Sequence, residues 1–149
     1  MSETHNQLVV SEHQINRAIR LFLDEKDYYS SGTLAGAAEE ILGSLLVKGG
    51  ASHSLNDQIK SVLGMLSSEE IEALAEGKQK SHSKIVASVL NFYRNWLKHY
   101  CEDDFETNID AEEAAAELID RAVTNFFRLT SRESREMRRF LEYQQNLYS

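Results

Sequence analysis

Residues 33–40 read TLAGAAEE, and this run of small side chains lies at the centre of a long predicted helix that ends near Val47. The segment Lys48-Gly49-Gly50 supplies the stop signal. Glycine and alanine let a second helix approach closely, or leave space beside the backbone. The stretch therefore predicts a helical fold in which this helix packs against others. We expect an inward face of Leu34, Ala38, Ile41, Leu42 and Leu45, with small residues at Gly32, Ala35, Gly36 and Ala37.

The composition of the chain favours helices throughout. Its 149 residues include no proline and seven glycines, while Ala, Leu, Glu, Lys and Arg are abundant. This mixture supports long helices rather than strands, and the chain is long enough to bury one hydrophobic core. We predict an all-α, single-domain bundle of about six helices over residues 1–149, with disorder as a candidate state of residues 1–10.

Capping boxes mark where several helices begin. Ser11 with Gln14 opens a first helix to about Leu23, and residues 24–27 connect it tightly to the small-residue helix. Polar residues 77–83 predict a surface loop, and residues 101–108 predict an acidic loop. Five further helices are predicted. The first contains Leu55 to Leu66, the second runs from the capping box of Ser67 and Glu70 to about Gly77, and the third contains Ile85 to Trp96. The last two begin at the capping boxes of Asp110 with Glu113 and of Thr130 with Glu133.

Cysteine usage and hydropathy bear on the compartment. The single cysteine, Cys101, excludes an internal disulfide framework and fits a reducing environment. No apolar run approaches the roughly 20 residues that span a bilayer. The first ten residues also lack the basic start and apolar stretch of a secretory signal. We therefore expect a cytoplasmic protein that does not enter a membrane.

The charge distribution limits the choice of partners. A net charge of −8 repels nucleic acid at long range, so any RNA contact has to be local. Near the C-terminus, Arg128, Arg132, Arg135 and Arg139 have the spacing of one helix face. That face is either a set of ion pairs with acidic neighbours or a stripe that contacts RNA or a second protomer. Ion pairs are the simpler interpretation.

Residues 91–100, NFYRNWLKHY, combine cations, amides and an imidazole with four aromatic rings. Such a set could stack a base and contact a phosphate. On a straight helix Arg94 and His99 would lie about 140° apart, so they converge only if the helix ends or bends between them, or if a second protomer supplies one. In the alternative interpretation His99 is a helix C-terminal residue favoured by the macrodipole. The rings then belong to the core, and Arg94 and Lys98 are surface cations that pair with the acidic loop.

Two adjacent carboxylates, Glu39 and Glu40, lie in the small-residue helix. One of them must turn toward the helix flank if Ala38 and Ile41 point inward. A part-buried carboxylate beside His99 would orient the imidazole and could set its tautomer. Two solvated acids are the simpler alternative.

The sequence contains no arrangement typical of a metal or cofactor site. The histidines show no ligand spacing on one helix face, and the glycines resemble helix stops rather than a phosphate-binding loop. Cys101 is interpreted as an ordinary thiol. We predict neither a metal nor a cofactor.

The segment RNWLKHY, residues 94–100, resembles the motif of HEPN-type ribonucleases, in which an arginine precedes a histidine by a few residues within a helical bundle. The match is to the version with asparagine after arginine and an aromatic residue after histidine, here Asn95 and Tyr100. The resemblance implies that Arg94 and His99 act on the phosphodiester, in a site shared between two protomers.

A second segment, AIRLFLDEKDYYSSGTLAGAAEEILG at residues 18–43, is similar to a signature of small uncharacterised bacterial helical proteins. Those proteins carry a later stretch with asparagine, lysine and histidine followed by acids. Here Asn95, Lys98, His99 and the acidic tail match, whereas Trp96-Leu97 and Tyr100-Cys101 depart from the pattern. The resemblance implies a helical fold and gives more weight to these three residues than to Arg94.

Two functions from different classes remain open. The first is a HEPN-like RNA-acting protein of a bacterial toxin–antitoxin or defence system, either a metal-independent endoribonuclease or an inactive relative, with RNA as substrate and an antitoxin-like protein as partner. The second is a non-enzymatic helical protein-interaction module. In the first, Arg94 and His99 are catalytic, both near the surface, and the supporting residues are Asn95, Lys98, Tyr100, Glu39 and Glu40.

We also expect a homodimer. The aromatic and small-residue faces exceed what one small bundle needs to bury. The helix that ends at His99 should lie at or near the interface.

Overall fold

The computed structural model describes residues 1–75 and 81–149, and within these residues it contains helices and no strand. The all-α prediction is therefore confirmed. The predicted number of helices, about six, is too low, partly because the aromatic motif forms a separate short helix. The described residues form α1 (Gln7–Leu23), α2 (Tyr28–Lys48), α3 (Ser54–Met65), α4 (Ser68–Ala73), α5 (His82–Leu90), α6 (Phe92–Lys98), α7 (Ala111–Thr130) and α8 (Arg135–Leu147).

The small-residue helix α2 is the centre of the fold, because α1, α6 and α7 all pack against it. Its buried face is wider than the predicted one and includes positions without large side chains. Leu45 is exposed, and Leu34 and Ile41 are only partly buried. The fully buried residues of α2 are Ser31, Gly32, Ala35, Gly36, Ala38, Glu39, Leu42, Gly43 and Leu46.

Apolar side chains from four long helices form the main core. Packing of such side chains provides most of the stability of helices in a globular protein. A smaller cluster around Ile71, Ile85 and Val86 joins α3, α4 and α5. The main core contains Ile15, Ile19 and Phe22 of α1, Ala38 and Leu42 of α2, Leu118, Ile119 and Phe126 of α7, and Met137 and Phe140 of α8.

Two predicted helix starts are wrong, although the helices themselves are present. Asn6 caps α1 by accepting a hydrogen bond from the Leu8 amide at 2.7 Å, whereas Ser11 is buried inside the helix. Thr130 is the last residue of α7, and Ser134 caps α8 instead. Ser131 adopts a left-handed conformation at φ 54°, which ends α7 before a new cap can form.

The predictions for the middle of the chain are met in part. Ser67 and Glu70 form the predicted reciprocal capping box at the start of α4. That helix ends at Ala73 rather than near Gly77. Of the predicted surface loop at residues 77–83, residues 77–80 lie outside the described residues. Ser81 caps α5, and residues 82 and 83 already belong to that helix.

The predicted single helix from Ile85 to Trp96 is divided at Asn91, which adopts φ −98° and ψ 4°. A tertiary contact accompanies the division, since Arg121 of α7 donates a hydrogen bond to the Leu90 carbonyl at 3.4 Å. The second piece, α6, is therefore a separate short helix that packs against α2 and α7.

The arginines near the C-terminus do not share one helix face, because they are distributed over α7, its following turn and α8. Three of them form ion pairs, as the simpler interpretation predicts. Arg128 pairs with Asp57 at 2.6 Å, Arg132 with Glu12 at 3.5 Å, and Arg139 with Asp24 at 2.6 Å. Within the described residues, no helix is both long and apolar enough to cross a membrane.

Candidate functional site around Arg94 and His99

The aromatic motif helix α6 lies against the glycines of α2. A Cβ atom on Gly32 would come within 2.7 Å of Tyr93 Cε2, and one on Gly36 within 2.8 Å of Arg94 Cγ. Real Cβ atoms essentially never approach so closely, so these positions require glycine for α6 to lie where it does. The predicted close approach of a helix to the small-residue stretch is confirmed, and the helix that approaches is the one with the motif.

Arg94 forms a buried ion pair with Glu39, whose Oε2 accepts a hydrogen bond from Arg94 Nη1 at 2.8 Å. The exposed fraction of the side chain is 13% for Arg94 and 3% for Glu39. Of the two adjacent glutamates, Glu39 is therefore the one that turns inward. The expectation of Arg94 as a surface cation paired with the acidic loop is wrong. Its side chain lies against Gly36, where no Cβ is in the way, and reaches Glu39 on α2.

A second arginine, Arg121 of α7, faces the same carboxylate from the other side. Its Nε lies 3.8 Å from Glu39 Oε1, and its side chain is 2% exposed. Burial lowers the pKa of Arg121, and the nearby charge of Glu39 opposes that shift. Two of its nitrogens, Nε and Nη2, have no hydrogen-bond partner within the described structure, and neither does Arg94 Nε.

Asn125 ties this charge cluster to the start of α3. Its Oδ1 accepts a hydrogen bond from the Ser54 amide at 2.8 Å, and its Nδ2 donates to the Glu39 carbonyl at 3.3 Å. Arg121 and Asn125 were missed in the sequence, although they are four residues apart on the inward face of α7. Polar side chains inside an apolar helical stripe were the available signal.

The neighbouring Glu40 is exposed and gathers the cations of the motif. Lys98 Nζ donates a hydrogen bond to Glu40 Oε2 at 3.1 Å, which lowers the pKa of Glu40, and the positive charges of Arg94 and Lys98 lower it further. Lys98 therefore also pairs with α2 and not with the acidic loop. Arg94 lines both clefts that Glu40 borders, so two motif cations lie on this side of α2.

His99 lies just past the end of α6 and is exposed. Its backbone is extended, at φ −127° and ψ 143°, and its amide donates to the Asn95 carbonyl at 3.0 Å. The helix thus ends between Arg94 and His99, which is the condition for their side chains to approach. Among the described residues the imidazole has no hydrogen-bond partner, so the predicted orienting carboxylate is not in contact: Glu39 binds Arg94 instead.

The other motif residues divide into structural and exposed ones. The Tyr93 hydroxyl donates to the Tyr28 carbonyl at 3.0 Å, and Trp96 Nε1 donates to the Asp104 carbonyl at 2.7 Å. These two rings hold α6 to its neighbours, as the core interpretation predicts. Asn95 is exposed, and the core interpretation is wrong for Tyr100, whose side chain is 80% exposed.

Arg94 separates two clefts beside the motif. One, of about 220 Å³, is lined by Glu39, Glu40 and His53, and the other, of about 300 Å³, by Glu40 and Lys98. His53 Nδ1 accepts a hydrogen bond from the Asn56 amide at 3.1 Å, so the neutral ring keeps its proton on Nε2. His53 is a cleft residue that the sequence did not reveal, because its contact with α2 is made across Gly43.

Two larger clefts, of about 330 Å³ and 500 Å³, lie along α7 and share Asp110, Glu113 and Glu117. Burial raises the pKa of Glu117, and the charge of Glu113 raises it further. A surface with this many carboxylates disfavours a phosphate group. In the part of the chain that the structure describes, no group of three His, Cys, Asp or Glu side chains could hold a metal ion.

No family model matches this chain, and no curated protein and no solved structure shows significant similarity to it.

Proposed function

We propose that this protein is a HEPN-like RNA-acting protein, either a metal-independent endoribonuclease or a catalytically inactive relative, of the kind found in bacterial toxin–antitoxin or defence systems. One observation carries the proposal: Lys98 is hydrogen-bonded to Glu40, Arg94 lines the two clefts beside that carboxylate, and α6 ends between Arg94 and His99. A phosphodiester that displaced Glu40 would meet Arg94 and Lys98, with His99 at the end of the same helix.

In this proposal five residues of the motif have a chemical role. Arg94 holds the phosphate and stabilises the charge that develops on it. His99, whose exposed imidazole makes no hydrogen bond among the described residues, transfers a proton to or from the 2′-hydroxyl or the leaving oxygen. Lys98 adds a second cation, and Asn95 and Tyr100 support the base and the histidine. The net charge of −8 confines RNA binding to this local site and favours a basic, antitoxin-like partner elsewhere.

A homodimer would complete such a site. Arg94 is recessed at 13% exposure, whereas His99 and the 80% exposed Tyr100 lie at the surface. Within one chain the two proposed catalytic residues are therefore at different depths. A second protomer docked on this face would cover the exposed ring and bring another histidine to the cleft.

A second candidate function is a non-enzymatic helical interaction module. The observation in its favour is that Tyr93, Arg94, Trp96 and Lys98 each make a specific contact that holds α6 in place. These contacts explain much of the motif as packing and capping. They leave Asn95, His99 and Tyr100 as an exposed surface for a protein partner.

The experiment that tests the proposal compares RNA cleavage and growth inhibition by wild type, His99→Ala and Arg94→Lys. The expected result is loss of cleavage or toxicity in both variants. His99→Ala should keep its thermal midpoint, because the side chain is exposed. Arg94→Ala is unsuitable, since it removes a buried partner of Glu39 and would lower the midpoint by several degrees.

Controls with the same substitutions come from α1, where His13 and Arg17 are exposed. His13→Ala and Arg17→Lys should retain wild-type cleavage. The proposal fails if purified wild type, tested as a dimer and with RNA from its own host, cleaves nothing and does not bind RNA. Retained cleavage in His99→Ala would refute the catalytic role of the histidine.

A further inference from the structure

The buried charge cluster around Glu39 contains two cations and one anion. Glu39 is a single carboxylate, and two guanidinium groups, those of Arg94 and Arg121, lie within ion-pair distance of it. Only Arg94 is within hydrogen-bonding distance, with its Nη1 2.8 Å from Glu39 Oε2. Arg121 Nε lies 3.8 Å from Glu39 Oε1. A buried guanidinium without full pairing is costly, so this excess of positive charge calls for an explanation.

The remaining charges near the cluster do not remove the asymmetry. Glu117 and Asp120 act on Arg121 from its own helix, and Glu40 acts on Arg94 from α2. None of the three is hydrogen-bonded to either arginine within the described structure. The unpartnered nitrogens, Nε and Nη2 of Arg121, are shielded from solvent, although other parts of this residue line the cleft of about 330 Å³ on the far side of the cluster.

The two arginines differ in their freedom to move. Arg121 is 2% exposed and bonded to the Leu90 carbonyl. Arg94 is 13% exposed and lines two clefts that open to solvent. From the present 3.8 Å, a shift of about 0.8 Å would bring Arg121 Nε to the roughly 3 Å of a charged hydrogen bond with Glu39.

We infer that Arg121 is a positioning residue that takes over the Glu39 carboxylate when Arg94 turns toward an anion in the adjacent cleft. The exchange keeps the buried carboxylate paired throughout, so Arg94 can bind a phosphate without leaving an isolated charge behind. This inference rests on the proposed function only in naming the anion as an RNA phosphate. For the exchange itself, any small oxyanion that fits beside Arg94 is sufficient.

The test is a titration of the wild-type protein with inorganic phosphate, followed by ¹⁵N NMR of the arginine Nε–H groups. Signals are assigned through Arg94→Lys and Arg121→Lys. The expected result is that the Arg94 and Arg121 signals move together and fit one dissociation constant. If the Arg94 signal moves while that of Arg121 stays unchanged, or if neither moves, the inference is overturned.

Variants provide a second readout. Arg121→Met leaves Arg94 as the sole partner of Glu39, so phosphate binding should weaken by about tenfold or more. Arg121→Lys restores a charge and should recover most of the affinity, which a merely structural role would not require. Arg128→Met is the matched control, because Arg128 is also on α7 but pairs with Asp57 at the surface. Equal phosphate affinity in Arg121→Met and wild type would contradict the exchange.

The same titration separates the two proposals. If the signals of both arginines respond to phosphate but wild type cleaves no RNA, the exchange stands and the nuclease proposal fails. If RNA is cleaved while Arg121 remains unaffected by phosphate, the nuclease proposal stands and Arg121 is only structural.

Discussion

Glu39 on α2 accepts a hydrogen bond from Arg94 on α6 at 2.8 Å, and both side chains lie largely inside the protein. This contact joins the small-residue helix to the aromatic motif, the two segments that stand out in the sequence. Gly36 makes it possible by leaving room for the stem of Arg94. The stability of the fold and the availability of the proposed phosphate-binding group therefore depend on the same ion pair.

Glu39→Gln should destabilise the protein more than Arg94→Met does. Removing the carboxylate leaves two buried arginines without their counter-ion and should cost about 3–5 kcal/mol. Removing Arg94 leaves Glu39 with Arg121 3.8 Å away, so the loss should be about 1–3 kcal/mol. Urea denaturation of both variants measures the difference. Equal losses would show that Arg121 gives Glu39 no compensation.

Gly32→Ala should loosen the contact between α2 and α6. The added methyl group would lie 2.7 Å from Tyr93 Cε2, and the ring is held by its hydrogen bond to the Tyr28 carbonyl. We expect a loss of about 1–3 kcal/mol in the free energy of unfolding. The control is Gly64→Ala in α3, where nothing lies within 4 Å of the new Cβ. That variant should be neutral or gain up to about 1 kcal/mol from helix propensity, so a similar loss in both would refute the packing argument.

Tyr93 should make stability fall at alkaline pH. Burial raises the pKa of Tyr93 from 10.0 to about 12. Between these values the unfolded chain gives up the phenol proton while the folded protein keeps it, so stability present below pH 10 is lost as pH rises toward 12. We expect a contribution of about 1–2 kcal/mol, reduced from the full value of such a shift by solvent screening.

The measurement for Tyr93 is denaturant unfolding at several pH values in wild type and Tyr93→Phe. The variant should be less stable near neutral pH, because it lacks the hydrogen bond to Tyr28, but its stability should fall less steeply above pH 10. Tyr148→Phe serves as the control, since Tyr148 is 90% exposed. If Tyr93→Phe follows the wild-type slope, another group causes the alkaline loss.

If the protein is the proposed dimer, substituting exposed residues close to His99 should change its mass in solution from that of a dimer to that of a monomer. Tyr100 and Phe105, which follow His99 in the sequence, are 80% and 70% exposed. Light scattering should give the dimer mass for wild type and the monomer mass for a Tyr100→Arg, Phe105→Arg variant. Tyr148→Arg, at the far end of the chain, should remain dimeric. A monomer mass for wild type at high protein concentration would exclude the dimer and the composite site with it.

Local sequence signals located much of the helical framework. The absence of proline, the stop at Lys48-Gly49-Gly50 and the caps at Ser67 and Asp110 act within a few residues, and each is present in the structure. Side-chain oxygens and backbone amides of one turn suffice for such contacts. The small residues of α2 likewise predicted that a helix would pack there, because only side-chain size has to be known for that conclusion.

Contacts between residues far apart in sequence decided the rest. Which of Glu39 and Glu40 turns inward depends on Arg94, which is 55 residues from Glu39, and the division of the motif helix accompanies the hydrogen bond from Arg121 to Leu90. Helical periodicity gives the face of a residue but not the partner that the fold brings to it. The sequence by itself determined that this protein is helical and where its unusual segments lie. Only the tertiary structure showed that Arg94 is held by a buried carboxylate, with His99 exposed at the end of the same helix.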